Sequence, residues 1–329
     1  MDRADAFVPV AQTTRSDWPE STHFGVVVAL DHDGHVAFAV GDPTVSIYPR
    51  SSNKPLQALT MVEHGLDLPP RLLALVCASH DGAPMHCDGV LEILATVGLG
   101  PDALRNTADL PLDQRSAEAV LRAGGGRTAL QMNCSGKHAG MLVTSAVNGW
   151  AIDSYLDRNH PLQQAVTARL PELFEAPIAH VGVDGCGAPA HVTSLLGLVR
   201  AFRNIATGER ATTAHRVYSA MIDNPVMVGG ERRDVTKLMR AIPGLLAKEG
   251  AEGVFAAALP DGRAVALKIA DGSSRARAPV MLTALRALGV DVRDATGLVE
   301  PIMGHDHPVG EISAIAAAFE GEGGEDGDD

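Results

Sequence analysis

The sequence predicts an α/β (α+β) protein. One central, mostly antiparallel sheet is built from hairpins at the two ends of the chain, with packed helices and a helical insertion between them. Three observations carry this expectation. Residues 24–30 (FGVVVAL) and 36–40 (VAFAV) flank the turn DHDGH, in which Asp33-Gly34 is a strong hairpin signal. Residues 253–258 (GVFAAA) and 263–269 (RAVALKI) flank the turn LPDG and read as a second hairpin. The stretch between them is spaced as helices and punctuated by Gly and Pro. A two-stranded hairpin is only marginally stable alone, so the two ends are expected to pair.

Taken in order, residues 1–22 are expected to be a disordered N-terminal segment. The short TVSIY (44–48) extends the first meander. Helices are expected over 55–64, 70–78, 86–97, 114–123, 136–147, 162–175, 193–206, 211–222 and 233–241, and again over 275–288 after the second hairpin. No linker divides the chain, so 23–319 reads as a single domain. Residues 320–329 (EGEGGEDGDD) form an acidic, disordered tail.

Composition bounds the function. The 329 residues are 46% hydrophobic and 20% charged, enough to build a core. The net charge is −13, and no basic stripe exists, so nucleic-acid binding has nothing to rest on. No run approaches the roughly 18 apolar residues that span a bilayer, and the N-terminus lacks a signal-peptide pattern. A soluble, cytoplasmic protein with no membrane partner is expected. Four cysteines, Cys77, Cys87, Cys134 and Cys186, read as buried thiols or metal ligands. Only five of the 27 cationic side chains are lysine: Lys54, Lys137, Lys237, Lys248 and Lys268. Lysine can lose its proton where arginine cannot, so each retained lysine is a candidate for chemistry.

Five constellations could carry that chemistry. In Arg50-Ser51-Ser52-Asn53-Lys54-Pro55, Ser51 and Lys54 are three apart and share a face of a helical turn. A lysine of depressed pKa can then deprotonate the serine; a capping serine beside a surface lysine is the plainer alternative. Cys77-Ala78-Ser79-His80-Asp81-Gly82 reads as a helix end delivering polar groups to a cleft, or as a terminus satisfied locally. In Asn133-Cys134-Ser135-Gly136-Lys137-His138, Asn133 or Ser135 could cap a helix whose first turn holds Cys134 and Lys137. Asp184-Gly185-Cys186-Gly187-Ala188-Pro189 is a Gly-rich turn with one acid and one thiol, and Cys186 could join Cys134 at a metal. Lys268 closes the second hairpin in an apolar run, as a functional lysine or as one that discourages edge pairing. HExxH, GxSxG and CxxC are all missing, which removes support for zincin, α/β-hydrolase and thioredoxin-type chemistry.

Together and in this order, YPRSSNKPLQA, CASHDGAPMH, NCSGKHAGM, HPLQ, GVDGCGAP, KEGAEGV and ALKIADGSSRA resemble the Rhizobium-type (class 3, thermolabile) L-asparaginase family, over about residues 22 to 290. The resemblance implies a fold related to serine β-lactamases and penicillin-binding proteins, a homodimer, and hydrolysis of L-asparagine to L-aspartate and ammonia. It implies two Ser–Lys pairs, Ser51 with Lys54 and Ser79 with Lys268. It implies a zinc ion (Zn2+) on Cys134, Lys137 and Cys186, with water completing the site, and substrate contacts from Arg50, His138 and Asp184. On this expectation Ser51 attacks the side-chain amide in preference to Ser79, with the oxyanion held by backbone amides at the Ser51 turn. Two alternatives stand beside it. One is a penicillin-recognising or peptidase-like SxxK hydrolase, although Ser79-His80-Asp81 is not SxN and Lys268-Ile269-Ala270 is not KTG. The other is a catalytically silent metal-binding protein of the same fold.

Overall fold

A computed structural model describes residues 3–319. The first strands are β1 (Val8–Arg15), β2 (Trp18–Leu30), β3 (Val36–Val40) and the short β4 (Ser46–Ile47). Mid-chain come β5 (His180–Val183) and β6 (Pro189–Ser194). Then follow β7 (Leu246–Gly250), β8 (Val254–Ala258) and β9 (Ala264–Ile269), and finally β10 (Ile302–Gly304), β11 (His307–Gly310) and β12 (Ile312–Ala314). The main sheet runs β12-β1-β2-β9-β8-β7, with β3 also paired to β2. All of these pairings are antiparallel.

The two ends of the chain meet as expected: Gly25–Leu30 of β2 pair with Ala264–Ile269 of β9. The two hairpin turns also lock together. Asp31 Oδ1 accepts from the Asp33 and His35 amides and shapes the first turn. His32 Nδ1 lies 3.0 Å from the Asp261 carbonyl of the second turn. Gly262 sits there at φ +98°, and a Cβ on it would lie 2.3 Å from the His32 carbonyl oxygen. Only glycine fits that contact and that dihedral.

The expected disorder of residues 1–22 is corrected. β1 and the beginning of β2 lie in that segment, and β1 is held on both sides, by β2 and by β12. The stretch PVAQTTR has too weak an alternation to announce a strand, and its order comes from long-range pairing with Ile312–Ala314. The acidic segment 320–329 lies outside the described residues.

The helices are α1 (Lys54–Glu63), α2 (Pro70–Val76), α3 (Pro84–Ala95), α4 (Gln114–Arg122), α5 (Ser135–Val147), α6 (Pro161–Phe174), α7 (Leu195–Ala206), α8 (Thr213–Asp223), α9 (Pro225–Val228), α10 (Asp234–Ala241) and α11 (Arg277–Ala287). Proline at the start of α2, α3, α6 and α9 is tolerated because the first helical N–H groups have no intrahelical acceptor. Every residue of β7, β8 and β9 is buried, and α7 and α11 both pack on β8 and β9. The remaining helices form the insertion: α2 packs on α8, α5 and α3, and α1 on α6, α5 and α8. Among the described residues no helix is long and apolar enough to cross a membrane.

Gly262→Ala is expected to destabilise the protein by about 1–3 kcal/mol, because the added methyl meets backbone and the dihedral is unfavourable. Urea unfolding of the variant beside the parent checks this, and an unchanged midpoint would refute it.

Candidate active site and metal centre

The site is assembled where three segments meet at the free edge of β7. A 3-10 turn, Arg50–Asn53, runs directly into α1, and Lys54 N–H donates to Ser51 O across the junction. The turn is tied to the sheet by Ser52 Oγ, which donates to Lys248 O at 3.1 Å. Gly250 makes the close approach possible: a Cβ there would lie 2.4 Å from Pro49 O. Arg50 opens the turn at φ +53°, a left-handed conformation that costs a non-glycine residue free energy and is typical of functional sites. Beyond α2, the loop carrying Ser79 is pinned by Ser79 N–H to Val228 O (3.0 Å) and His80 N–H to Asn133 O (3.1 Å).

Two buried lysines converge on Ser79. Lys54 Nζ donates to Ala78 O at 2.5 Å and to Ser79 Oγ at 3.1 Å. Lys248 Nζ donates to Ser79 Oγ at 3.0 Å and to Glu249 O at 2.8 Å. The Lys248 side chain is wholly buried, with the Glu249 carboxylate at 3.2 Å. Burial lowers the Lys248 pKa to about 8, helped by Lys54 and Arg233 and opposed by Glu249. Burial raises the Glu249 carboxyl, but Lys248, Arg233 and Arg277 outweigh it and bring it down to about 2. Ser51 is half-buried, and its hydroxyl makes no hydrogen bond among the described residues. It shares with Ser79, Asn133, Arg233 and Glu249 a cavity of ≈ 260 Å³. That is smaller than the about 300–1,000 Å³ of sites for drug-sized ligands.

This corrects the expected second Ser–Lys pair. Lys268 does not bond Ser79; its ammonium donates to Glu252 O at 2.5 Å and Ile269 O at 2.6 Å. The strand order is the reason: Lys268 lies on β9, and β8 separates it from the edge strand β7 that borders the serines. Lys248 takes the place beside Ser79. Its scarcity as a lysine and its K-x-G setting, Lys248-Glu249-Gly250, were the available signals. The first pair also differs in detail, since Lys54 reaches Ser79 and not Ser51.

The cysteines gather next to this site. Cys134 immediately precedes α5, whose first turn carries Lys137 and His138. Neither Asn133 nor Ser135 caps the helix; Ser135 Oγ donates instead to Leu130 O. Cys186 arrives on the turn between β5 and β6, with Lys137 Nζ at 3.2 Å from its sulfur. Hydrogen bonding between the two thiols pushes Cys134 up and Cys186 down, and Lys137 further favours the Cys186 thiolate. His138 Nδ1 bonds the Tyr155 hydroxyl at 2.9 Å, whereas its buried Nε2 makes no hydrogen bond of ordinary geometry among the described residues, with Cys186 beside the ring. Burial, with Lys137 nearby, brings His138 down to about 4, so it is neutral near pH 7. The two soft sulfur donors and the Lys137 amine are, by donor chemistry, a set that suits a zinc-type ion.

Arg50 and Asp184 pair with each other, Nε and Nη2 reaching Oδ1 at 3.1 and 2.8 Å. They line a second, very small cavity, of ≈ 10 Å³, with Lys54, Lys137 and His191. Lys54 thus borders both the serine cavity's hydroxyl and the thiol cluster. Another three-ligand arrangement among the described residues, Asp31, Asp33 and His35, is a hairpin turn in which Asp31 already accepts from the Asp33 and His35 backbone amides.

A family model described as L-asparaginase II matches residues 11–314. The chain belongs to the L-asparaginase II family, and membership supports hydrolysis of the L-asparagine side-chain amide. Comparison with curated proteins finds no match. Similar solved structures include a β-lactamase of Mycobacterium bovis, 14% identical, covering 76% of this chain and 88% of that one, with a TM-score of 0.43. Another is EstCE1, a hydrolase with promiscuous acyltransferase activity, 12% identical, covering 76% and 90%, with a TM-score of 0.38.

The geometry separates the two late lysines. Lys248→Met is expected to lower kcat for asparagine hydrolysis by about 10²–10⁴, and Lys268→Met by less than about tenfold at equal folded fraction. Equal losses in both variants would contradict the placement of Lys248 at Ser79.

Proposed function

We propose that the protein hydrolyses L-asparagine to L-aspartate and ammonia through a serine nucleophile served by a Lys54–Ser79–Lys248 relay. The observation that carries this reading is the meeting of two buried lysine ammoniums on one serine oxygen at the wall of a cavity that Ser51 also lines.

The two serines have different surroundings and so different roles. Ser79 is 5% exposed and held between both lysines, which suits a hydroxyl that passes protons. Ser51 faces the cavity with its hydroxyl uncommitted, and its backbone N–H has no acceptor among the described residues. Ser51 Oγ attacks the amide carbon, and the carbonyl electron pair moves to the oxygen, which the Ser51 N–H receives. With Lys248 neutral, Ser79 gives its proton to Lys248 and takes one from Lys54; Lys54, which does not touch Ser51 in the resting structure, then accepts the Ser51 proton through one bridging water. Reversal of this relay protonates the departing nitrogen, the C–N bond breaks, and ammonia leaves. Water hydrolyses the resulting acyl-enzyme by the same path. Lys54 and Lys248 act as one coupled unit in this scheme.

In the same reading Cys134, Lys137 and Cys186 hold a zinc ion, with a fourth position for water. When bound, it would supply Lewis-acid anchoring of polar substrate atoms. Arg50, His138 and Asp184, which the resemblance implies as substrate contacts, surround that metal side, with Arg50 paired to Asp184, and serve it without touching the amino-acid end. A cytoplasmic homodimer belongs to the same proposal. The two competing classes are separated by the test: a penicillin-type enzyme would turn over a β-lactam reporter, and a silent binder would release no ammonia.

Ammonia release from L-asparagine, with L-glutamine beside it, is the primary assay. Ser51→Ala is expected to abolish the acyl-enzyme seen by mass spectrometry. Ser79→Ala is expected to lower kcat by about 10²–10⁴ while leaving Ser51 the acylated residue; acylation at Ser79 in the parent would overturn the assignment. The Lys248 pKa lies at about 8, below the ordinary lysine value. Because the neutral amine is the working form, kcat/KM rises with pH from 7 to 9. A flat or falling profile would count against the relay. Metal analysis is expected to find about one zinc per chain, lost in Cys186→Ser.

A further inference from the structure

Resting on the amide-hydrolase reading above, we infer that Arg233 and Glu249 form the receptor for the amino-acid end of the substrate. The guanidinium takes the α-carboxylate and the Glu249 carboxylate takes the α-ammonium. Both residues line the ≈ 260 Å³ cavity that holds Ser51 and Ser79. They come from different elements, Arg233 immediately before α10 and Glu249 on β7. They meet side by side, Arg233 Nη2 donating to Glu249 Oε1 at 2.9 Å.

Their hydrogen bonding is incomplete in a way the fold does not explain. Arg233 Nε is buried with no hydrogen-bond partner among the described residues, and Glu249 Oε2, on a residue only 2% exposed, has only the Lys248 ammonium beside it. Lys248, 3.2 Å from Oε2, pairs with its charge and takes up only part of the accepting capacity of that oxygen. Buried charged groups left so are costly and are usually satisfied by water, an ion or a ligand. A donor edge beside an acceptor edge matches a zwitterion, which presents one carboxylate and one ammonium on the same carbon. Glu249 is ionised across the neutral range, held so by Lys248, Arg233 and Arg277 against the effect of burial.

The neighbouring charges have other work. Arg277 also lines this cavity and its Nε is likewise unpartnered among the described residues, but its two terminal nitrogens are committed to Gly250 O (3.1 Å) and Asp234 (3.0 Å), fixing β7 and the start of α10. Arg50 and Asp184 satisfy each other beside a cavity of ≈ 10 Å³, room for roughly one water and not for an amino acid. With its charged end on Arg233 and Glu249, the substrate leaves its side-chain amide to the two serines of the same cavity.

Calorimetric titration of the full chain with L-aspartate, succinate and 3-aminopropanoate tests this without requiring turnover. L-aspartate is expected to bind about 10- to 100-fold more tightly than either analogue lacking one charged group. Glu249→Gln should erase the advantage of L-aspartate over succinate, and Arg233→Met its advantage over 3-aminopropanoate. Kinetically, the ratio of kcat/KM for L-asparagine to that for succinamate should fall about 10- to 100-fold in Glu249→Gln. If Glu249 acts only by tuning Lys248, both substrates lose the same factor, the ratio stays constant, and the inference is overturned. It is also overturned if the parent protein binds succinate as tightly as L-aspartate, a result that needs no variant to fold. Aspartate binding that depends on both residues, in a protein that releases no ammonia, would sustain the receptor and sink the hydrolase reading.

Discussion

Two lysine ammoniums buried against one serine hydroxyl set the terms for everything around them. Taking an ion out of water costs several kcal/mol even after the protein relaxes. The structure offsets this with the Ala78 and Glu249 carbonyls, the Glu249 carboxylate and the Ser79 oxygen itself. Those groups sit on two segments, the loop beyond α2 and the edge strand β7, and the two ammoniums come from the first turn of α1 and from β7. The arrangement therefore exists only when sheet and helical insertion are docked. Ser52 Oγ on Lys248 O and the glycine contact at Gly250 hold that docking in register.

The thiol cluster is bound to the same geometry. A Cβ on Gly136 would lie 2.2 Å from Leu75 O, so the start of α5 presses directly on α2. Cys134 and Lys137 are thereby fixed relative to Ser79, and Lys54 lies between the two centres, sharing a cavity with Lys137. A positive charge on Lys54 also favours thiolate at Cys134. The thiol cluster and the Ser79 hydroxyl are electrostatically linked through that one amine.

Much of this was legible along the chain. The ten expected helices all appear with boundaries shifted by only a few residues, because Pro and Gly mark their ends. The pairing of the two terminal hairpins follows from the instability of each alone. Strand β6 was not anticipated, and its last two residues, Thr193 and Ser194, fall in the expected helix, since PAHVTS runs without a break into LLGLVRAF. Strand β7 was missed for a related reason: LAKEG is short, wholly buried and without alternation. With β7 unseen, Lys248 had no place to point, and the pairing of Lys268 with Ser79 rested on the family resemblance alone.

The sequence by itself determined the ten helices, the two hairpins and the inventory of lysines, thiols and serines, because these depend on composition and on spacing within a turn, helix or strand. Only the tertiary structure decided which lysine meets Ser79 and that Arg233 meets Glu249. Those contacts join residues separated by 169 and 16 positions, and strand order in the sheet, which no local pattern encodes, brings Lys248 to the edge and leaves Lys268 behind β8.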